Sequence, residues 1–155
     1  MLVDNGGMST PERCFYGYAV AFEQTYVDDD WSRLEPFFAA DAVYEVRGEG
    51  LTCRISGRAQ VLRGLKKSVD GFDRHCTRHV ELTGEPATEG DTVTAPWRAT
   101  YDHAGAPTLT FDGRSIATVR DGRIVHLADE YAPAEAAKVA AWMRDHGPGL
   151  DLSYE

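Results

Sequence analysis

The chain has 155 residues, one domain's worth, with 43% hydrophobic and 26% charged residues. Its 16 Lys and Arg against 25 Asp and Glu leave a formal charge of −9. That balance argues against a nucleic-acid surface, which releases counterions through clustered basic groups, and against attraction to an anionic membrane.

Cys14, Cys53 and Cys76 are scattered, odd in number and in no metal-binding or disulfide-framework spacing, so a cytoplasmic setting is expected. Residues 1–10 read as a disordered leader without the basic and apolar regions of a signal peptide, and Met8 offers a second start. Ser9-Thr10-Pro11-Glu12 has the residues of a helix start: a Ser cap, Pro in the first turn and Glu placed for a capping box. Phe15, Tyr18, Ala19, Phe22 and Tyr26 then recur at helical spacing. The run Asp28-Asp29-Asp30 ends this helix, and a second, short helix carries Trp31, Leu34, Phe37 and Phe38 to near Asp41.

Ala42 to Arg47 reads as a strand, with a turn at Gly48-Glu49-Gly50 and its return over Thr52 to Ser56. Gly57 opens a third helix bearing Val61, Leu62, Leu65 and Val69, stopped by Asp70-Gly71. Four strands follow: His75 to Thr83, Thr92 to Asp102, Thr108 to Arg120 and Arg123 to Tyr131. The Asp121-Gly122 turn between the last two is the strongest hairpin signal in the chain. Ala134 to His146 is a final helix, and residues 147–155 form a tail after Gly147-Pro148-Gly149. Helices gathered ahead of a run of strands predict an α+β fold: a curved antiparallel sheet wrapped round the N-terminal helices as a cone-shaped roll with an apolar interior. Residues 11–146 make one domain.

This element order, together with Trp31-Ser-Arg-Leu-Glu-Pro-Phe-Phe-Ala-Ala-Asp-Ala-Val-Tyr44, resembles the nuclear-transport-factor-2-like superfamily. Within it the chain looks most like the SnoaL-like proteins, relatives of polyketide cyclases, scytalone dehydratase and limonene epoxide hydrolase. Gly122 to Asp129 is similar to the last strand of the cyclases and epoxide hydrolases, where the matching acid acts on substrate. Thr77-Arg78-His79 resembles the T-x-H of the dehydratase-like group, whose His is a pocket acid or base, and Tyr26 resembles a pocket tyrosine of that group. The chain departs from each pattern too. Val27 stands where the dehydratases have an acid, Val46 where the epoxide hydrolases have Asn, and Arg98-Ala99-Thr100 where they have Arg-x-Asp.

From the residues alone, Asp129 shares a strand face with Val125, Leu127 and Tyr131, and either that face or the one bearing Ile124, His126 and Ala128 is inward. The resemblance chooses Asp129. His79 sits on a polar strand face with Glu81, which by itself reads as solvent; the resemblance places it in the pocket. Trp97 and Tyr101 share a face with Val93, Ala95 and Ala99, either lining a site for a flat ligand or forming core or dimer surface. The expected machinery is Asp129 and His79 as acid and base, with Tyr26 and Tyr44 as hydroxyl donors. Phe22, Val46, Trp97, Tyr101 and Leu127 would contact a small apolar substrate, with no cofactor and no metal. The resemblance also implies a homodimer. Isomerase, cyclase or dehydratase chemistry is expected, with a non-catalytic binding module as the alternative and epoxide hydrolysis behind both.

Overall fold

The computed structural model describes residues 7–155, so the first six residues of the expected leader lie outside it. Helix α1 (Thr10–Asp28) begins where the Ser9 hydroxyl accepts from the Glu12 N–H, with Pro11 inside the first turn. It ends at Asp29 in the left-handed region (φ 62°), whose N–H returns to the Thr25 carbonyl. Its buried face is Phe15, Tyr18, Ala21 and Thr25.

The expected second helix is a 3-10 turn, Trp31–Phe37, and strand β1 (Phe38–Arg47) begins at Phe38, not at Ala42. Pro36 accounts for this, since it has no N–H to continue an α-helical ladder. Strand β2 (Cys53–Ser56) returns beside β1, and α2 (Arg58–Gly71) follows with Val61, Leu62, Leu65 and Val69 inward. A second 3-10 turn, Asp73–His75, leads into β3 (Thr77–Leu82). Then come the short β4 (Ala87–Glu89), which the sequence pattern did not signal, β5 (Thr92–Asp102), β6 (Leu109–Arg120), β7 (Arg123–Glu130) and α3 (Pro133–His146).

These elements make an α+β fold on one sheet in the order β2-β1-β7-β6-β5-β3, with β4 added on β5. The sheet is mixed: every pairing is antiparallel except β1 with β7, which is parallel. No hairpin joins those two strands; the rest of the sheet lies between them in sequence, so either direction was open to β1. One hydrophobic cluster joins α1 and α2 to the inner faces of β1, β5, β6 and β7 through Tyr18, Leu34, Phe38, Val61, Val93 and Leu127. A second closes the far end, where Phe72, Tyr101, Phe111 and Trp142 meet, and Trp142 Nε1 donates to the Pro107 carbonyl at 2.7 Å.

The tail is not loose. Leu150, Leu152 and Tyr154 alternate inward along an extended strap that crosses α2. The Asp151 N–H donates to the Gly71 carbonyl at 3.0 Å, and Ser68 Oγ donates to the Leu152 carbonyl at 3.2 Å. A Cβ at Gly71 would stand 2.4 Å from the Asp151 oxygen, so only glycine admits the strap there. Among the described residues no helix is long and apolar enough to cross a membrane.

Candidate active site

The cone holds a partly open cavity of about 390 Å³, within the range of small-molecule sites. Its walls include Phe22, Leu65, Trp97, Phe111, Leu127 and Tyr131, and the strap contributes Leu152 and Tyr154. A second groove, outside α2 and bounded by Lys67 and Asp151, is more open and lined largely by charged groups, so the inner cavity is the better sheltered of the two.

Asp129 lines this cavity. Register explains its position: Asp129 lies opposite Val46 on β1 and Ser115 on β6, so β7 presents it between two neighbours. Tyr44, directly opposite Leu127, reaches diagonally and donates to Asp129 Oδ2 at 2.6 Å. Ser115 Oγ donates to Oδ1 at 2.7 Å and accepts from Trp97 Nε1 at 3.0 Å. Burial pushes the Asp129 carboxyl above the ordinary carboxylate range, and the two hydroxyl donations oppose that rise. Burial, reinforced by the nearby Asp129 charge, holds Tyr44 well above its usual value, so it remains a neutral donor. A carboxyl with a raised pKa, held on both oxygens and facing an apolar cavity, is suited to proton transfer.

The inward face of β7 is Leu127, Asp129 and, just beyond the strand, Tyr131. Further back the phase changes. The register shift between Thr118 and Val119 buries Ile124 in place of the expected Val125. His126 faces outward and hydrogen-bonds Glu45 at 2.5 Å, while Glu130 pairs with Arg114 at 2.5 Å.

Other expected residues separate into two groups. Phe22, Trp97, Tyr101 and Leu127 line the cavity, and Tyr44 reaches Asp129. Val46 is buried in the core but does not line the cavity. His79 is placed outside: its side chain is 69% exposed and its nearest acid is Glu81 at 3.8 Å. The cause is cross-strand pairing. Arg78 lies opposite the inward Tyr101, so alternation turns His79 outward beside Thr100. Tyr26 also misses the cavity wall, because its hydroxyl donates to the Asp73 carbonyl at 3.2 Å and its ring lies beneath Arg74 and Arg78. Neither shares a site with Asp129.

Arg78 takes the inward place. It is bound bidentately by Glu23 at 2.7 and 3.0 Å, and its Nε lies 3.1 Å from Asp73 Oδ2. Tyr101 Oη donates to the same Asp73 oxygen at 3.0 Å. Asp73, Arg78 and Glu23 all line the cavity, so it has polar groups at two places. Tyr18 lines it as well, and burial together with the Asp129 charge holds its hydroxyl protonated. Among the described residues no cluster of His, Cys, Asp and Glu is placed to hold a metal ion.

A cone of this topology, with a carboxylate on its last strand facing an apolar cavity, defines a class before it defines a reaction. The model of the SnoaL-like domain matches residues 19–127, and the chain belongs to that family. Solved structures agree on the fold. TerC co-crystallised with polyporic acid has a TM-score of 0.69 at 16% identity, covering 88% of this chain and 99% of that one. A Catenulispora acidiphila protein with a ketosteroid isomerase-like fold, in complex with trimethylamine, has a TM-score of 0.57 at 22% identity over 77% of this chain and 88% of its own. An M. tuberculosis LEH-like epoxide hydrolase has a TM-score of 0.57 at 18% identity over 82% and 90%. No curated protein matches the chain by sequence.

Proposed function

We propose that this SnoaL-like protein is an acid–base enzyme needing no cofactor, which moves a proton on a flat, apolar, carbonyl-bearing molecule in the manner of an isomerase, cyclase or dehydratase. The observation that carries this reading is Asp129, half-buried in the cavity wall and held by Tyr44 and Ser115 with no cation beside it. As a carboxylate it takes a proton from carbon next to the carbonyl; once protonated it returns that proton to another position. Tyr44 and Ser115 fix its orientation. Tyr18 and Tyr131, neutral hydroxyls on the same wall, serve as donors to the oxyanion that forms. The rings of Trp97 and Phe111 fit a planar substrate, and a neighbour of this fold was co-crystallised with polyporic acid.

The test is deuterium incorporation into 2-tetralone in D2O, followed by NMR. The protein should accelerate exchange at the carbon next to the carbonyl, and Asp129→Asn should lose at least about a hundredfold of that rate, the low end for a positioned acid or base. Exchange unaltered by Asp129→Asn would remove Asp129 from the chemistry. The outward turn of His79 leaves Asp129 without an imidazole partner on the cavity wall, and this favours a second reading, a binding module of the same fold. Ligand binding without any exchange by the unmodified protein assigns that role.

A further inference from the structure

Asp73 belongs to no strand, follows no motif and takes no part in the chemistry given to Asp129, yet it lines the same cavity. Its carboxylate is 9% exposed as a residue, and holding such a group without function is costly. Oxygen Oδ2 is spent on Tyr101 and on the neighbouring Arg78. A carboxylate has about four acceptor positions, and no side chain among the described residues donates to Oδ1. Arg78 cannot leave to meet another partner. Glu23 holds both of its terminal nitrogens, and the rings of Phe22 and Tyr26 lie 5.6 and 4.9 Å from its guanidinium carbon. Its Nε, although close to Asp73, is the buried side-chain nitrogen that makes no aligned hydrogen bond. Acceptor capacity is left over here, just as it is at Asp129, where each oxygen receives one hydroxyl.

The two carboxylates stand at different levels of the cavity. Asp129 is beside Ser115, which is opposite Ala95; Asp73 is bound by Tyr101, farther along the same strand. At ~3.3 Å per residue those levels are about 20 Å apart along β5, a span that the side chains shorten. Trp97 lies between them on β5, and Phe111 lies between them opposite Ala99. Counting formal charges on the cavity wall, Asp129, Asp73, Glu23 and Glu81 face the single cation Arg78. Acidic ligands are repelled, and donors are wanted at both ends.

Resting on the reading of this cavity as a site for a flat aromatic molecule, the geometry points to Asp73, set by Tyr101 and Arg78, as a second ligand-binding pole. The cavity then takes an uncharged planar aromatic with a hydroxyl at each end, one donating to Asp129 and the other to Asp73. This distinguishes the substrate from a singly hydroxylated ring and from an aromatic carboxylate. It also lets the far hydroxyl hold the ring still while Asp129 moves a proton at the near end.

Matched probes test this on the intact protein. Dissociation constants are measured by fluorescence for 2-naphthol, 2,6-dihydroxynaphthalene and 6-methoxy-2-naphthol. The longer series 4-phenylphenol, 4,4′-dihydroxybiphenyl and its monomethyl ether places the two hydroxyls farther apart. In at least one series the second hydroxyl should tighten binding fivefold or more, as hydrogen bonds to charged groups do. The methyl ether, which cannot donate, should lose that gain without any change to the protein. Asp73→Asn should abolish the gain of the diol over the mono-ol; Asp73→Ser takes its place if the Asn variant fails to fold. 6-Hydroxy-2-naphthoic acid should bind no better than 2-naphthol. A gain below fivefold in both series, a methyl ether as tight as the diol, or a gain that survives at Asp73 variants overturns the second pole. If neither mono-ol binds at all, the aromatic-site reading falls with it. Equal binding of mono-ol and diol removes only the second pole, and the exchange assay with Asp129→Asn then stands on its own.

Discussion

At the scale of single residues, Asp129 does two opposed things: it supplies the reactive group and it weakens the fold. Burial raises its carboxyl in the folded protein, so the folded chain holds a proton that the unfolded chain has released. Stability from this group is therefore undiminished at low pH, and it falls as pH rises from the ordinary carboxylate value toward the raised one. Asp129→Asn, which cannot ionise, should melt no lower than the unmodified protein at pH 8, and the difference should narrow toward pH 4. A thermal melt series across that range decides it; a variant that melts lower by a constant amount at every pH contradicts the sign. Asp129 was legible only through the family resemblance, because strand alternation put it on one face with Leu127 and Tyr131 but left either face of the strand open as the inward one. For His79 the residues and the resemblance disagreed: its polar face with Glu81 reads as solvent, which is where the structure places it, and only the match of Thr77-Arg78-His79 drew it into the pocket. One position of register exchanges an imidazole for a guanidinium. Asp73 carried no periodic signal at all, since a 3-10 turn imposes none.

Among the elements, the C-terminal strap was the one most readily missed. Leu150, Leu152 and Tyr154 alternate as strand residues do, but the segment lies after a Gly-Pro-Gly stop and pairs with no strand. What seats it is the flat side of α2 at Gly64 and Gly71, together with hydrogen bonds from Ser68 and to Gly71. Tyr154 stands with its ring centre 5.2 Å from that of Tyr44, so the strap backs the residue that holds Asp129. Gly71→Ala should force the strap away, at a cost of about 1–3 kcal/mol typical of overpacking. Hydrogen exchange at residues 150–155 should speed up more than exchange in β5. Equal protection of the strap in the variant and the parent would show that the close approach is relieved some other way. The 3-10 turn at Trp31–Phe37 was legible as helical and not as 3-10, because Pro36 acts through a missing donor and leaves the apolar spacing intact.

Across the whole molecule, charge is sorted by depth. Most ion pairs lie on the surface, as Arg98 with Asp112 does; each of those side chains is about half exposed (47% and 48%). Among the described residues Arg78, 9% exposed between Glu23 and Asp73, is the most deeply buried paired cation. Arg78→Met should destabilise the fold in a urea melt by about 3 kcal/mol, because it leaves the buried Asp73 carboxylate without its cation. Arg98→Met should leave the midpoint unchanged within error. Similar effects from the two would mean that burial does not set the value of these pairs. The topology has a further consequence, in time and not in space. Tyr44 and Asp129 are 85 residues apart and meet only across the parallel β1–β7 pairing. That contact closes a long loop, so it belongs among the slow steps of folding. During synthesis, β1 has left the ribosome long before β7 exists. The chain therefore acquires its carboxylate site in one late event, when the last strand docks beside the first.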